Sequence, residues 1–280
     1  MVSDPCNLFT VDLEEWFHVC GVGGALAQHN WDRLPARVEP TTHALLEMLD
    51  RRRVRAAFFI VGWVAERYPH LVEAVRTAGH DIGSHGYRHE RAYDLGPRAF
   101  REDVRRSVRA LAAAGVDRVT MFRAPEWSIN QRSLWALQTL VEEGVTIDAS
   151  MAPVKIVGDR SFPRYPHIRK TAAGPITELP PLVADAFGQV RPMGWGWGLR
   201  MSSPRRVLRA IDAVNRAGIP AVLTVHPWEL DPDPPRVRLP VALHFGHYFR
   251  LRGFATRLDE VLRYATFSTI GETAAAASTP

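Results

Sequence analysis

The stretch NLFTVDLEEWF, residues 7–17, carries the clearest fold signal in this chain. Its first part, NLFTVDL, has the length and the branched and aromatic content of a buried strand. Side chains alternate along a strand, so Asp12 and Glu14 project from the same side of the chain as the apolar run ends. Glu15 faces the other way if the strand stays regular, and it replaces Glu14 if the strand bulges. The stretch therefore predicts a strand that ends in a paired-carboxylate site.

Segments of the same kind recur along the chain, and amphipathic stretches separate them. In PRAFREDVRRSVRAL, residues 97–111, the apolar residues recur at intervals of four and three, which is the spacing of one helix face. Alternating strands and helices predict a parallel sheet, and about seven strands favour a closed barrel over an open sheet. We predict one domain over residues 1–280, with long rim loops in residues 150–200. The further candidate strands are AAFFIVG, HDIGSH, VTMFRAP, VTIDAS, ITELP and AVLTVHP.

Polar side chains follow several of these apolar segments. In a barrel of parallel strands, the carboxyl ends of the strands carry the functional site. His85 and His89 lie four residues apart, and on a helical turn both rings would leave the same face and could bind one ion. The polar strand-end residues are Asp12, Glu14, Ser84 to His89, Arg123, Asp148 and His226. Acids, imidazoles and an arginine at the same edge indicate a catalytic site rather than core filling.

The composition excludes several classes of protein. The 280 residues are 46% hydrophobic, enough for a large core, and the net charge of +5 comes from arginines spread along helical stretches. That spread disfavours a nucleic-acid partner and leaves an anionic substrate or membrane surface open. Two cysteines, Cys6 and Cys20, exclude a disulfide framework. Neither a leader pattern nor an apolar run of about 18 residues occurs, so we expect a soluble, cytoplasmic protein without a transmembrane segment.

Five stretches, in this order, carry a resemblance to a known family: FTVDLEEWFH, SHGYRHE, FRAPEWSI, IDAS and TVHPWELDP. They resemble the motifs of the polysaccharide deacetylase family, which includes chitin and peptidoglycan deacetylases. The resemblance spans roughly residues 7–230 in a fixed order of motifs. HPWELDP and the following RVRLPVALHFGHYFRLRGF look most like the branch associated with bacterial exopolysaccharide loci. Residues 230–280 would then be a family-specific C-terminal extension.

The resemblance implies an α/β fold, a distorted (β/α)7 barrel of the polysaccharide deacetylase type. It also implies one divalent metal ion, usually zinc, with Co²⁺, Ni²⁺ or Fe²⁺ as alternatives, bound by His85, His89 and a carboxylate. Many members have two adjacent aspartates in the first motif, whereas here Leu13 separates the acids. The ligand would therefore come one position later, from Glu14, with Glu15 as the alternative.

The resemblance assigns roles to four further residues. Asp12 would be the general base, Arg123 would hold that base, and His226 would be the general acid. Asp148 would orient or tune His226. The leucine commonly found two residues before the acid histidine is Thr224 here, which would change the character of a pocket for the acetyl methyl group.

The chemistry of these residue types agrees with the resemblance. Two neutral imidazoles and one carboxylate leave a fourth position on zinc open for water. An amine leaves only when protonated, so a separate acid must face the base. We predict a hydrolase acting on carbon–nitrogen bonds other than peptide bonds, which removes an N-acetyl group from an amino sugar in a glycan, glycolipid or sugar conjugate. The alternatives are an allantoinase-like hydrolase of non-sugar C–N bonds and a non-catalytic glycan-binding barrel.

Three tryptophans are candidate substrate contacts. Trp195 and Trp197 lie in GWGWG, where glycines leave the rings with little side-chain cover, and Trp127 follows the motif RAPE. Aromatic faces can stack on sugar rings, which predicts substrate contact for all three. The alternative for Trp195 and Trp197 is that they close the barrel mouth as core residues.

Overall fold

The computed structural model describes residues 6–186 and 188–271. The three neighbouring strands Val222–Val225, Asn7–Leu13 and Ala57–Ile60 are fully buried, as expected for strands that are covered on both faces. In chain order, the strands are β1 Asn7–Leu13, β2 Ala57–Ile60, β3 Asp81–Ser84, β4 Met121–Phe122, β5 Ile147–Asp148, β6 His167–Thr171, β7 Gly174–Glu178, β8 Val183–Ala186, β9 Gln189–Pro192, β10 Val222–Val225 and β11 Phe267–Ser268.

Helices separate most of the parallel strands and pack on the outside of the sheet. The α-helices are α1 Val38–Arg52, α2 Gly62–Arg67, α3 Pro69–Thr77, α4 Ala92–Ala113, α5 Trp135–Glu142, α6 Gly196–Met201, α7 Pro204–Asn215, α8 Val241–Tyr248 and α9 Phe254–Tyr264. Short 3-10 turns lie at Gly24–Leu26, Gln28–Arg33, Pro125–Trp127 and Pro227–Leu230. Within the described ranges, no helix is both long and apolar enough to cross a bilayer.

The main sheet runs in the order β10-β1-β2-β3-β4-β5-β7-β6, and β11 pairs with β1. From β10 to β7 the neighbouring strands of the described chain are parallel, while β6 returns antiparallel to β7. The segment around Trp195 runs beside β10 and bridges to Thr224. These seven parallel strands confirm the prediction of a distorted α/β barrel. The predicted rim loops of residues 150–200 instead contain two hairpins, β6–β7 and β8–β9, and helix α6.

Alternation along β1 divides its side chains between two layers. Phe9, Val11 and Leu13 pack in the large outer cluster with the helices. Leu8 packs in the smaller cluster that fills the barrel, together with Phe59 and other residues of neighbouring strands. Thr10 and Asp12 lie on the same side of β1 as Leu8, nearer the carboxyl end of the strand. The interior of the barrel is therefore apolar at the amino ends of the strands and acidic at the carboxyl ends, which form its mouth.

Candidate active site

Glu14, His85 and His89 converge at the mouth of the barrel, and all three are buried. One potential ligand atom from each residue lies within 4.8 Å of the other two. Glu14 Oε2 is 2.5 Å from His89 Nε2 and 3.8 Å from His85 Nε2. Burial opposes the ionisation of Glu14, but the charges of His89 and His226 hold the pKa of this carboxyl below its usual range. The structure therefore brings the predicted ligand set together.

The loop after β3 positions the two histidines without a helix, contrary to the helical turn considered from the spacing. Gly86 has a φ of 71°, and a Cβ atom there would lie 2.8 Å from an Asp103 carboxylate oxygen. That carboxylate accepts hydrogen bonds from the backbone N–H groups of Tyr87 and Arg88. His89 itself has a φ of 52°. Asp103, on α4, thus folds the loop so that a spacing of four still aims both rings at one point.

Each histidine is oriented by an atom on the side of its ring that faces away from Glu14. His85 Nδ1 donates to the carbonyl oxygen of Arg123 at 2.8 Å, which leaves the Nε2 lone pair directed into the cluster. Burial lowers the pKa of His85 to about 4, so this ring is neutral and can bind a metal. His89 Nδ1 lies 3.5 Å from the sulfur of Cys20.

The donor set fits a divalent cation. Two imidazole nitrogens and one carboxylate oxygen are typical ligands of a catalytic zinc site. Without an ion, the charge of the protonated His89 ring balances that of Glu14, and a divalent cation would take the place of this proton. We conclude that Glu14, His85 and His89 are suited to hold such an ion.

Glu15, the alternative ligand, has partners different from those of Glu14. Its Oε1 atom accepts hydrogen bonds from the backbone N–H groups of Arg37 at 2.9 Å and Val38 at 3.0 Å. These groups lie at the start of α1, where unpaired N–H groups favour a carboxylate. Burial nevertheless raises the pKa of Glu15 to about 7. Glu15 thus caps a helix, and Glu14 is the carboxylate beside the imidazoles.

Asp12 is fixed on one oxygen and free on the other. Its Oδ1 atom accepts a 2.6 Å hydrogen bond from Arg123, whose fully buried guanidinium also donates to Thr10 Oγ1 and to the carbonyl of Ala149. Thr224 contacts Thr10 Oγ1 at 2.9 Å, so the position with the unusual threonine belongs to this polar cradle. Asp12 Oδ2 faces the cluster, 3.9 Å from His85 Nε2. The predicted pairing of Arg123 with Asp12 is present.

His226 directly follows β10, which pairs with β1. Its Nε2 atom is 3.8 Å from Asp12 Oδ2 and 3.8 Å from Glu14 Oε1, and its side chain is 17% exposed. Its Nδ1 atom is 3.0 Å from Glu229 Oε2. Burial alone would lower the pKa of His226, but the hydrogen bond and charge of Glu229 raise it to about 9. The ring is therefore protonated at neutral pH and aimed at the cluster.

The prediction that Asp148 orients His226 is wrong. Asp148 accepts a 2.5 Å hydrogen bond from Ser150 and pairs with Glu178 on the adjacent strand β7. Burial and the neighbouring Asp148 charge raise the pKa of Glu178 well above its usual range, so the two carboxyls share a proton. Four strands separate β5 from β10 in the sheet, which explains why Asp148 has a different environment.

Glu229, which sequence reasoning missed, orients His226 instead. It lies on the 3-10 turn after β10, and its Oε1 atom is 2.8 Å from Nε of the buried Arg200. A Cβ atom at Gly196 would lie 2.1 Å from the Glu229 carboxylate, so glycine is required where α6 passes. The sequence HPWE contained a signal for this contact. Glu229 lies three residues after His226, which starts the turn, and this is the spacing of a capping box.

The tryptophans divide differently from the prediction. Trp127 and Trp195 are 6% and 5% exposed, and their ring centroids are 5.0 Å apart, so both belong to a buried cluster. Trp197 packs on that cluster and is half-buried, so it remains a candidate for sugar stacking. Trp228 was missed, although its Nε1 atom donates to Glu14 Oε1 at 3.1 Å. Its ring also stacks on His226.

Two family models match this chain side by side. The model described as polysaccharide deacetylase matches residues 27–143, and one described as a domain of unknown function (DUF3473) matches residues 149–275. The chain is 25% identical over 119 residues to a peptidoglycan-N-acetylglucosamine deacetylase of Bacillus cereus, covering 38% of this chain and 43% of that protein. It is 33% identical over 93 residues to chitin deacetylase 1 of Saccharomyces cerevisiae, covering 33% of this chain and 30% of that protein. Each alignment therefore spans less than half of the relative.

The fold has close counterparts among solved structures. A Mycobacterium smegmatis protein assigned to the polysaccharide deacetylases superposes with a TM-score of 0.61 at 20% identity, covering 100% of this chain and 94% of that one. This likeness confirms the predicted type of barrel. The finer likeness to the exopolysaccharide branch stays a prediction.

Proposed function

We propose that this chain is a metal-dependent hydrolase that removes an N-acetyl group from an amino sugar, on the premise that residues 27–143 match the polysaccharide deacetylase family model. One observation carries the proposal. Asp12 and His226 lie beside the three candidate metal ligands, and each is held by its own buried ion pair. A base and an acid fixed next to a Lewis-acid site are what amide hydrolysis requires.

Glu14, His85 and His89 would hold the ion. A divalent cation, most readily Zn²⁺, supplies Lewis acidity there, since it polarises an amide carbonyl and makes water more acidic. Trp228 donates to Glu14 Oε1 and so leaves Oε2 directed at the imidazoles. The carbonyl of Arg123 keeps His85 in the tautomer whose Nε2 is free.

Asp12 is the proposed general base. Arg123 holds Oδ1, so Oδ2 is the oxygen that accepts a proton from the water attacking the acetyl carbon. The guanidinium is fixed in turn by Thr10 and Ala149, which prevents the carboxylate from turning away. Asp12 therefore removes a proton at a defined atom and returns to the same geometry after each turnover.

His226 is the proposed general acid. It carries a proton on Nε2 and donates it to the amide nitrogen as the C–N bond breaks, which yields acetate and a free amine. Glu229 accepts from Nδ1 and stabilises the charged ring, so the proton is present at neutral pH. Arg200 fixes Glu229 through an ion pair. The position of the acid therefore depends on two residues from the C-terminal half of the chain.

The proposed substrate is an N-acetylated amino sugar, free in a conjugate or within a glycan or glycolipid. The two curated relatives are named for N-acetylglucosamine in peptidoglycan and for chitin. Trp197 is half-buried and follows Gly196, which packs against the Glu229 carboxylate, so its ring is the proposed aromatic contact for the sugar.

Acetate release tests this function. The protein is stripped with a chelator, reloaded separately with Zn²⁺, Co²⁺, Ni²⁺ or Fe²⁺, and incubated with chitin oligomers, muropeptides and cyclic amides such as allantoin. We expect acetate and free amine in equal amounts from the amino sugars, and none from the stripped protein. Ring opening of a cyclic amide without acetate, or no turnover with any ion, would contradict the proposal.

A further inference from the structure

Helix α8, Val241–Tyr248, exposes apolar side chains to solvent. Val241 is 88% exposed and Phe245, one turn later, is 42% exposed, with Ala242 exposed beside them. Isolated exposed apolar residues are common, but neighbours on one helix face form a patch. We call Val241, Ala242 and Phe245 the α8 patch.

The opposite side of α8 is bound to the active site. The His247 ring stacks on Trp228, with centroids 4.4 Å apart and an interplanar angle of 22°. Arg200 donates to the carbonyl oxygens of Gly246, His247 and Phe249 at 2.5 to 3.2 Å. The same guanidinium is paired with Glu229. The helix is therefore held firmly, and its apolar patch points away from an anchored side.

The patch is surrounded in the sequence by positive charge. Residues 234–258 contain arginines at 236, 238, 250, 252 and 257 and no aspartate or glutamate. Arg236, Arg238, Arg250 and Arg252 are exposed. An apolar helix face flanked by arginines is the composition of elements that lie in the interface of an anionic membrane.

We infer that the α8 patch and its flanking arginines dock on an anionic lipid surface, and that the active site takes an amino sugar carried by a lipid in that surface. The second half of this inference rests on the proposed deacetylase function, while the docking does not. Arginines bind lipid phosphates, and Val241 and Phe245 enter the acyl boundary. Because the opposite side of α8 is anchored beside the acid, docking would hold the site roughly one helix diameter, 10–12 Å, from the docked face.

Other occupants fit less well. A soluble polyanionic glycan would pair with the arginines but would give Val241 and Phe245 no apolar surface to contact. A second copy of the chain would cover the apolar face, but a two-fold contact on this patch would set arginines against arginines. A lipid surface satisfies both the charge and the apolar face.

Vesicle sedimentation tests the docking. The full chain is mixed with phosphatidylcholine vesicles, with or without phosphatidylglycerol. We expect binding to the anionic vesicles alone, weakened at least about tenfold in Val241→Asp/Phe245→Asp and in Arg236→Gln/Arg238→Gln. The matched controls are Ile156→Asp/Ile168→Asp, which alters other exposed apolar side chains, and Arg205→Gln/Arg216→Gln, which removes the same charge from exposed positions on and after α7. Both controls should bind as the original chain does.

Three results would overturn the docking. The first is equal binding by the patch variants and the controls, and the second is a dimer that only the patch variants dissociate. The third is binding to a soluble polyanion but not to vesicles, with the polyanion binding unchanged in Val241→Asp/Phe245→Asp.

The substrate half of the inference is tested by acetate release from an N-acetylglucosaminyl lipid in those vesicles and from a soluble oligomer. Val241→Asp/Phe245→Asp should lower kcat/KM about tenfold for the lipid alone. Equal values for both substrates would overturn it. Vesicle binding without acetate release from either substrate would instead contradict the proposed function, while the docking would still be supported.

Discussion

The base side and the acid side of the site are built differently. Asp12 and Arg123 lie at the ends of two strands and are 2% and 0% exposed, and Arg123 is fixed by atoms of the barrel interior. His226 is 17% exposed and is braced by Glu229 and Arg200, which lie on a short turn and on α6. The base therefore depends on the sheet itself, whereas the acid depends on the C-terminal half packing against it.

The largest effect should come from the base. Asp12→Asn keeps the shape but cannot accept the proton, so we expect kcat for acetate release to fall about a thousandfold with little change in KM. Asp148→Asn is the matched control, because this buried carboxyl pairs with Glu178 instead of facing the cluster. It should lose far less activity. Equal losses in the two variants would mean that the base side is not confined to Asp12.

The brace on the acid side can be tested through stability. Arg200→Met leaves the buried Glu229 with His226 as its remaining cationic partner, and we expect this loss to cost about 3–5 kcal/mol in the free energy of unfolding measured with urea. The double variant Arg200→Met/Glu229→Leu removes both charges and should recover much of that loss. A double variant no more stable than Arg200→Met would show that the pair does not couple α6 to the turn.

The role of the acid should depend on the leaving group. Glu229→Gln weakens the hold on His226, so hydrolysis of an N-acetyl sugar should slow about tenfold to a hundredfold. Hydrolysis of 4-nitrophenyl acetate, whose leaving group needs no proton, should change little. A general loss of structure would slow both reactions alike. That result would contradict the role of Glu229 in orienting the general acid His226.

The pH dependence should report the same residue. His226 must be protonated to act as an acid, and Glu229 raises its pKa to about 9. Deacetylation should therefore stay high through neutral pH and fall as the pH rises through about 9. In Glu229→Gln the fall should begin at lower pH because the stabilising charge is gone. An unchanged alkaline limb of the kcat profile would contradict this assignment.

The base side could be predicted from the sequence because local rules determine it. Alternation on β1 places Asp12 and Glu14 on one side, and the carboxyl ends of parallel strands meet at one edge. His85, Arg123 and His226 each follow an apolar segment, so their convergence required only the barrel.

The acid side could not be predicted fully because its contacts join residues from different elements of the fold. Asp148 and Glu229 both lie near strand ends, and only the order of strands in the sheet shows which one reaches His226. Trp195 sits between glycines in the sequence, yet Trp127 covers it in the fold. Burial of that kind depends on packing between distant segments.

The metal content of two matched variants tests the central claim most directly. Glu14 and Glu15 are adjacent, but Glu14 lies beside His85 and His89 whereas Glu15 caps α1. By elemental analysis after purification and reloading, the original chain and Glu15→Gln should bind an equimolar divalent ion, and Glu14→Gln should bind none. An ion retained by Glu14→Gln and lost by Glu15→Gln, or no ion bound by the original chain, would contradict the account.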